Sequence, residues 1–230
     1  KPDFIFHLAA EAIVKRSYNN PKYTWETNTI GTLNLLDILK EYKRKVIAVI
    51  ITSDKVYKNL EVKRGYKETD ILGSFDPYSA SKASADLATQ SYIESFLKKK
   101  SNIKIAIARA GNVIGGGDWA YGRLIPDCVR SWSKNKKVII RNPNSTRPWQ
   151  HVFDVLKGYI YLAINLKKDI ANGEIFNFGP KIEKNSEVKH IVRKIQSNWS
   201  NAKYSVKKEN NFFESKLLKL NSSKSKKILN

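Results

Sequence analysis

Six consecutive apolar residues, Val46 to Ile51, five of them β-branched, do most to limit what this chain can become. A strand can be apolar at every position only if both its faces are covered, as in a parallel sheet between two helical layers. The flanks agree. Upstream, Asn20-Pro21 offers a helix cap followed by proline at the first helical position. Ile30, Leu33, Leu36 and Leu39 continue at helical spacing to the basic end Lys43-Arg44-Lys45. Downstream, Asp76-Pro77 repeats the cap signal and opens a helix reaching about Lys98. Phe4 to Leu8 reads as an earlier strand and Ile103 to Ala108 as the next one. Strands joined by helical crossovers predict an α/β fold with a parallel sheet.

After Gly115-Gly116-Gly117 the texture changes. A helix is expected from Ile125-Pro126 to about Lys134, a short strand over Val138 to Arg141, and a helix over Asp154 to Leu166. A strand over Glu174 to Phe178 and a helix capped by Ser186 and ending near Gln196 follow. The tail from Asn201 is polar, lysine-rich and poorly periodic. The reading is a main domain over 1–115 and a smaller lobe over 116–230. A strand near 174–179 is expected to return to the main sheet.

Composition narrows the function classes. At 230 residues, 41% hydrophobic and 27% charged, the chain can build a sizeable core, and six apolar residues in a row are too few to span a bilayer. One cysteine, Cys128, excludes an internal disulfide and a multi-cysteine metal site, and a reducing cytoplasm is the expected compartment. Cys128, on a helical face, reads as a small core residue. The histidines, His7, His151 and His190, lie far apart without metal-ligand spacing, and His7 and His151 read as structural. The net charge of +21 raises nucleic-acid binding, but only 9 of the 42 basic residues are arginine. A phosphate-reading surface draws on arginine as well, so neither a nucleic-acid nor a membrane partner is expected.

Two polar clusters can carry chemistry. Tyr78-Ser79-Ala80-Ser81-Lys82 sets a phenol and an ammonium one helical turn apart, where the lysine can favour the tyrosinate and make it a general base. Such a pair is also an ordinary surface pair. Thr52-Ser53-Asp54-Lys55-Val56-Tyr57 follows directly on the apolar strand, at the end where open α/β sheets bind ligands. The same residues also suit a capped turn.

Five segments in this order resemble the extended short-chain dehydrogenases/reductases: Phe6-His7-Leu8-Ala9-Ala10, Asn28-Thr29-Ile30-Gly31-Thr32, Thr52-Ser53-Asp54-Lys55, Tyr78-Ser79-Ala80-Ser81-Lys82 and Arg109-Ala110-Gly111-Asn112-Val113. Within that family the chain looks like the sugar-nucleotide 4,6-dehydratases. The stretches Ala110 to Trp119 and Arg147 to Val152, with lysine after Asp54, resemble the CDP-glucose group of them. The resemblance runs from Asp3 to about Leu229. It implies a Rossmann-like doubly wound sheet with a sugar-nucleotide-binding lobe, NAD as cofactor, and a homodimer or higher homo-oligomer. It also implies a lyase activity feeding lipopolysaccharide or other surface polysaccharide synthesis. Family members start with a glycine-rich turn that holds the NAD pyrophosphate, and no such turn is found here. Gly115-Gly116-Gly117 comes too late to be it. With no methionine in the chain, the expectation is that about seventy residues, two strand–helix units, precede Lys1, and that relatives continue beyond Asn230.

Carried over residue by residue, the resemblance makes Tyr78 the base for the sugar 4-hydroxyl. Lys82 binds the nicotinamide ribose and holds Tyr78 at low pKa. Ser53 bonds the 4-oxygen, and Asp54 is the acid for the leaving 6-hydroxyl. Lys55 stands where dTDP-glucose dehydratases carry a glutamate base. It must act as a neutral amine or stabilise the enolate as a cation. Ala9, Ala10 and Asn28 are expected to line the cofactor, and Asn112, Arg123 and Arg147 the nucleotide. For Asn112 a turn amide is the alternative. Other readings are a dTDP- or UDP-sugar 4,6-dehydratase, a 4-epimerase, or a non-catalytic sugar-nucleotide-binding module. An epimerase has no use for an acid at Asp54, because it never expels the 6-hydroxyl.

Overall fold

A computed structural model describes residues 1–181, 186–207 and 215–229. Strand β1 (Phe4–His7) is followed by helices α1 (Val14–Asn19) and α2 (Pro21–Trp25), a π-helical turn over Glu26–Ile30, and α3 (Gly31–Glu41). Then come β2 (Val46–Ile51), a 3₁₀ turn over Asp54–Val56, α4 (Pro77–Tyr92) with a second π-helical turn over Ile93–Leu97, and β3 (Ile103–Ala110). The later half contains β4 (Val113–Ile114), α5 (Leu124–Trp132), β5 (Val138–Ile140), β6 (Thr146–Arg147), β7 (Gln150–His151) and α6 (Val152–Lys167). It ends with β8 (Ile175–Phe178), β9 (Ser186–Glu187), α7 (Val188–Gln196), β10 (Tyr204–Val206) and α8 (Ser223–Ile228).

The main sheet has the order β1-β2-β3-β8 and is parallel throughout. Strand β2 lies between β1 and β3, which is why it is apolar at every position. Its residues alternate between two cores. Ala48 and Ile50 join Ile103, Ile105 and Ile107 against Leu36, Leu39, Ile93 and Leu97 of the α3–α4 layer. Val49 joins Ala106, Ala108 and Ala110 against Tyr159, Leu162 and Leu166 of α6. The expected strand near 174–179 is β8, which pairs with β3. Helix α6 also belongs to the main sheet, so the later half of the chain completes the first. The smaller lobe packs Cys128 and Trp132 of α5 against β5, Val192 of α7 and Ala202, and Cys128 is a core residue as expected.

Several local expectations change. The helix from Pro21 is interrupted by the π-helical turn, and Asn20 makes no side-chain cap bond. Asp76 does cap α4: its Oδ1 accepts from Ser79 N at 2.9 Å. Ser186 does not cap α7; it lies in β9, which pairs antiparallel with β6. The tail from Asn201 is more structured than its composition suggests. β10 pairs with β5, and Leu218 and Leu220 are buried against Tyr57 and Tyr66. Tail residues 208–214 and 230 lie outside the described residues.

Candidate active site

All four strands of the main sheet end on one side, and the segments that follow β1, β2 and β3, with residues of the smaller lobe, line a cleft of about 910 Å³. It is lined by Ser53, Asp54, Lys55, Tyr78, Asn112, Arg123 and Arg147, together with the three glycines 115–117, Trp119, Tyr121 and Tyr159. Of the residues expected to carry catalysis and nucleotide binding, all but Lys82 therefore meet in one place, although they come from five segments. Ala9, Ala10, Asn28 and Lys82 are not part of this lining.

The turn after β2 is built around Ser53, which sits at the N-cap of the 3₁₀ turn in extended backbone and accepts from Lys55 N at 3.2 Å. Its hydroxyl donates to Asp54 Oδ1 at 3.1 Å. Asp54 is buried, and among the described residues its Oδ2 has no hydrogen-bond partner. Burial pushes its pKa above the usual carboxylate range, against the opposing pull of Lys55, the Ser53 hydroxyl and Arg147. A carboxyl in this state keeps its proton more readily and can donate it.

Tyr78 opens α4, and the Lys55 ammonium stands 6.0 Å from its ring centre. Burial pushes the phenol up to about 12, and the Ser53 hydroxyl acts in the other direction. Lys82 was expected to lower it. Here the lysine lies one turn further on, buried, and donates to Ile51 O at 2.8 Å. Burial brings its own pKa down to about 8. The low tyrosine pKa is thus not a property of the chain by itself.

Asn28 is fully buried in the π-helical turn. Its Oδ1 accepts from Glu11 N at 2.8 Å, and its Nδ2 donates to Glu11 O at 3.1 Å and to Ser81 Oγ at 2.9 Å. It ties the loop after β1 to α4 and shapes that loop from behind. Ala9 and Ala10 sit in the same loop. Asn112 follows β3. Its backbone carbonyl accepts from Gln150 N at 2.9 Å, while its side-chain amide makes no hydrogen bond with the described residues. Arg123 is the N-cap of α5 and reaches Asp118 at 3.3 Å. Arg147, on β6, is buried and close enough to Asp54 to act on its charge. His7 hydrogen-bonds Thr32 Oγ1 at 3.1 Å, and His151 caps α6 by accepting from Phe153 N at 3.2 Å, both structural roles as expected.

Sequence reasoning passed over Tyr159, which packs on the Phe178 ring and whose phenol is pushed up by burial and by Tyr78. It also passed over Asp86 and Arg109 as a pair, joined by a buried bidentate contact with distances of 2.7 and 2.9 Å. The spacing from Tyr78 to Lys82 and from Lys82 to Asp86, four residues each time, was the available signal.

The chain is 44% identical to the CDP-glucose 4,6-dehydratase of Salmonella typhimurium over 230 residues, covering 97% of this chain and 64% of that protein. It thus spans somewhat less than two thirds of that relative. The dTDP-D-glucose 4,6-dehydratase of Dictyostelium discoideum is 30% identical over 194 residues, 80% of this chain and 42% of that one. Among solved structures, the fold matches that of Pal from Bacillus thuringiensis with a TM-score of 0.83 at 25% identity, over 99% of this chain and 69% of that one. It also matches UDP-glucuronic acid 4-epimerase from Bacillus cereus with a TM-score of 0.84 at 23% identity, over 99% and 69%. The family model described as GDP-mannose 4,6 dehydratase matches residues 1–230, and the chain belongs to that family.

Proposed function

We propose that the protein catalyses the NAD-dependent 4,6-dehydration of CDP-glucose to the CDP-4-keto-6-deoxy sugar, as a hydro-lyase. The observation that carries this reading is the Ser53–Val56 turn. It sets a buried carboxyl, with a raised pKa and one oxygen unbonded among the described residues, beside a lysine and next to Tyr78, all lining one cleft. An epimerase needs no such acid. The 44% identity to a CDP-glucose 4,6-dehydratase supports the choice of nucleotide.

The donor set suits NAD. Lys82 is buried at the carboxyl end of β2, and among the described residues its ammonium has one acceptor, Ile51 O. Two of its three N–H groups remain for a pair of ribose hydroxyls. Ala9 and Ala10 present backbone with little side-chain bulk after β1. When bound, NAD supplies the acceptor and later the donor of a hydride.

The chain's own residues do the rest. Tyr78 receives the proton of the 4-hydroxyl at its phenolic oxygen, with Ser53 and Arg123 favouring the ionised form. Asp54, whose proton burial makes harder to lose, gives it to the departing 6-hydroxyl, which leaves as water. Lys55, as a neutral amine, takes the C5 proton at Nζ, and the ammonium so formed stands beside the enolate. Arg147 and Arg123 grip the diphosphate, a task suited to a guanidinium fork. Asn112 offers its side-chain amide to the nucleotide.

The product is a 4-keto-6-deoxy sugar nucleotide, a precursor for deoxysugars of surface polysaccharide, made in a cytoplasm where Cys128 stays a thiol. The working form is a homodimer or larger homo-oligomer. A side-by-side assay with CDP-, dTDP- and UDP-glucose tests the assignment. The expected result is a preference for CDP-glucose, and a preference for either of the others overturns the nucleotide.

A further inference from the structure

Tyr78, Lys82 and Asp86 lie on one stripe of α4 at successive turns. The first two face the chemistry proposed above, and Asp86 lies deeper. Its carboxylate is fully used. Oδ2 accepts from Thr52 Oγ1 at 2.8 Å and from Arg109 Nε at 2.9 Å. Oδ1 accepts from Arg109 Nη2 at 2.7 Å and from Gln90 Nε2 at 2.8 Å. The other terminal nitrogen of Arg109 donates to Tyr57 Oη at 3.0 Å, and Tyr57 in turn donates to Asn177 Oδ1 at 2.7 Å. Asp86, Arg109 and Asn177 are completely buried, and Tyr57 is 1% exposed.

These bonds close a ring. Asp86 holds Thr52, and through Arg109 it holds Tyr57. Between Thr52 and Tyr57 lie only Ser53, Asp54, Lys55 and Val56. Within the turn the bonds are long: Lys55 N to Ser53 Oγ at 3.2 Å, Val56 N to Ser53 O at 3.3 Å and Ser53 Oγ to Asp54 Oδ1 at 3.1 Å; outside it, Gly73 N donates to Val56 O at 2.8 Å. A buried ion pair gains little stability over well-packed apolar groups, so stability alone does not explain it. What a bidentate guanidinium–carboxylate pair does supply is fixed direction. Burial keeps the Tyr57 phenol protonated, and so a donor, well above neutral pH.

We propose that the Asp86–Arg109 pair is a clamp fixing both ends of the Ser53–Val56 turn to α4, and that Thr52 and Tyr57 are positioning residues setting Asp54 against Tyr78 and Lys82. The kinetic consequence rests on the dehydratase reading, whereas the clamp itself rests on geometry. Oxidation at C4 depends on Tyr78 and Lys82, which α4 carries directly. Elimination depends on Asp54, which the clamp places. Loosening one end should therefore slow elimination and spare oxidation. A misplacement of about 1 Å can cost about 10²-fold in rate.

The test uses the full-length protein with Thr52→Val, Thr52→Ser and Tyr57→Phe. Thr52→Val keeps the shape and removes the hydroxyl, and Thr52→Ser restores it. With CDP-glucose, Thr52→Val and Tyr57→Phe should still form bound reduced nicotinamide at close to the unmodified rate. They should release product about tenfold more slowly or worse, with KM little changed, and Thr52→Ser should recover most of the loss. General damage to the fold would lower both steps together, and that result, or unmodified turnover by Thr52→Val, overturns the proposal. Amide hydrogen exchange is the second readout and needs no substrate. Protection at Lys55 and Val56 should fall in Thr52→Val and Tyr57→Phe while β2 and β3 keep theirs. If the unmodified protein does not dehydrate CDP-glucose, the dehydratase reading fails and exchange decides the clamp. Unchanged protection at Lys55 and Val56 in both variants overturns it.

Discussion

At Asp54 the chain buries a carboxyl group with one oxygen left unbonded among the described residues, a cost to stability that fits the acid role proposed for it. The sign of the pH effect follows from the raised folded-state pKa. Below the ordinary value of 3.8, folded and unfolded chains are both protonated and burial carries no charge penalty. Above that value the unfolded chain gives up its proton while the buried group in the folded chain still holds its own, so stability falls as pH rises, until the folded-state pKa is passed. Asp54→Asn removes that burden. The variant should melt higher than the unmodified protein at neutral pH, and the difference should shrink towards pH 4, as thermal melts across that range would show. Its turnover should drop by about 10²–10⁴-fold, as for loss of a general acid. Hydride transfer should persist in this variant and in Lys55→Met, so reduced-nicotinamide absorbance builds up without product, whereas Tyr78→Phe shows neither. Unmodified turnover by Lys55→Met would remove Lys55 from the elimination step. Ser53, Asp54, Lys55 and Tyr78 were legible in the sequence because each sits beside a local signal, the end of an apolar strand or the start of a capped helix. Asn28 was legible as a motif but not as a contact, since its partners Glu11 and Ser81 stand 17 and 53 residues away.

Among the elements, the two faces of the main sheet are covered in different ways, and the difference explains a glycine. Towards α3 and α4 strand β3 presents isoleucines, and towards α6 it presents alanines. Small residues let α6 come close, and at Gly158 it comes close enough that a Cβ would stand 2.6 Å from the Phe178 ring. Gly158→Ala gains helix propensity at an ordinary helical position, by about 1 kcal/mol, so without the ring it would stabilise. With the ring it should destabilise by about 1–3 kcal/mol, the usual range for overpacking. That corresponds to a lowering of the melting temperature by some 2–4 °C per kcal/mol in a chain of this size, and a raised melting temperature would show that Phe178 yields freely. The order of the main-sheet strands and the longer helices was readable from periodicity, because the burial of β2 and β3 is written in their own residues, whereas α1, α8 and the two-residue strands were not. The π-helical turn over Glu26–Ile30 was not. It inserts into a pattern whose apolar spacing survives on either side, and its function, turning Asn28 inwards, depends on α4. β10 was missed for a similar reason: with the burial pattern half-buried, exposed, exposed, it is held by its neighbour β5 and not by apolar alternation.

At the scale of the whole molecule, the α2–α4 layer has one face spent on the sheet and another that is not. Leu36 and Leu39 are buried against β2 and β3. On the outside of the same layer Tyr23, Trp25, Ile30, Leu87 and Phe96 remain exposed, with Tyr23 at 58% and Leu87 at 52%. Tyr92 extends this outer surface, donating to Asp37 across α3 and α4 at 2.8 Å and meeting Phe96 edge-on. Large apolar groups brought together on a rigid two-helix surface gain by burial against a copy of themselves, and a two-fold axis lets one patch serve both partners. The net charge of +21 works against indiscriminate association, so that copies meet where apolar groups are concentrated. The protein should therefore sediment as at least a dimer at micromolar concentration. Leu87→Glu, which sets like charges facing each other across such an axis, should shift it to monomer while leaving its circular dichroism unchanged, because Leu87 contributes to no core cluster. A monomer before any substitution would show that this face has no second copy to cover it.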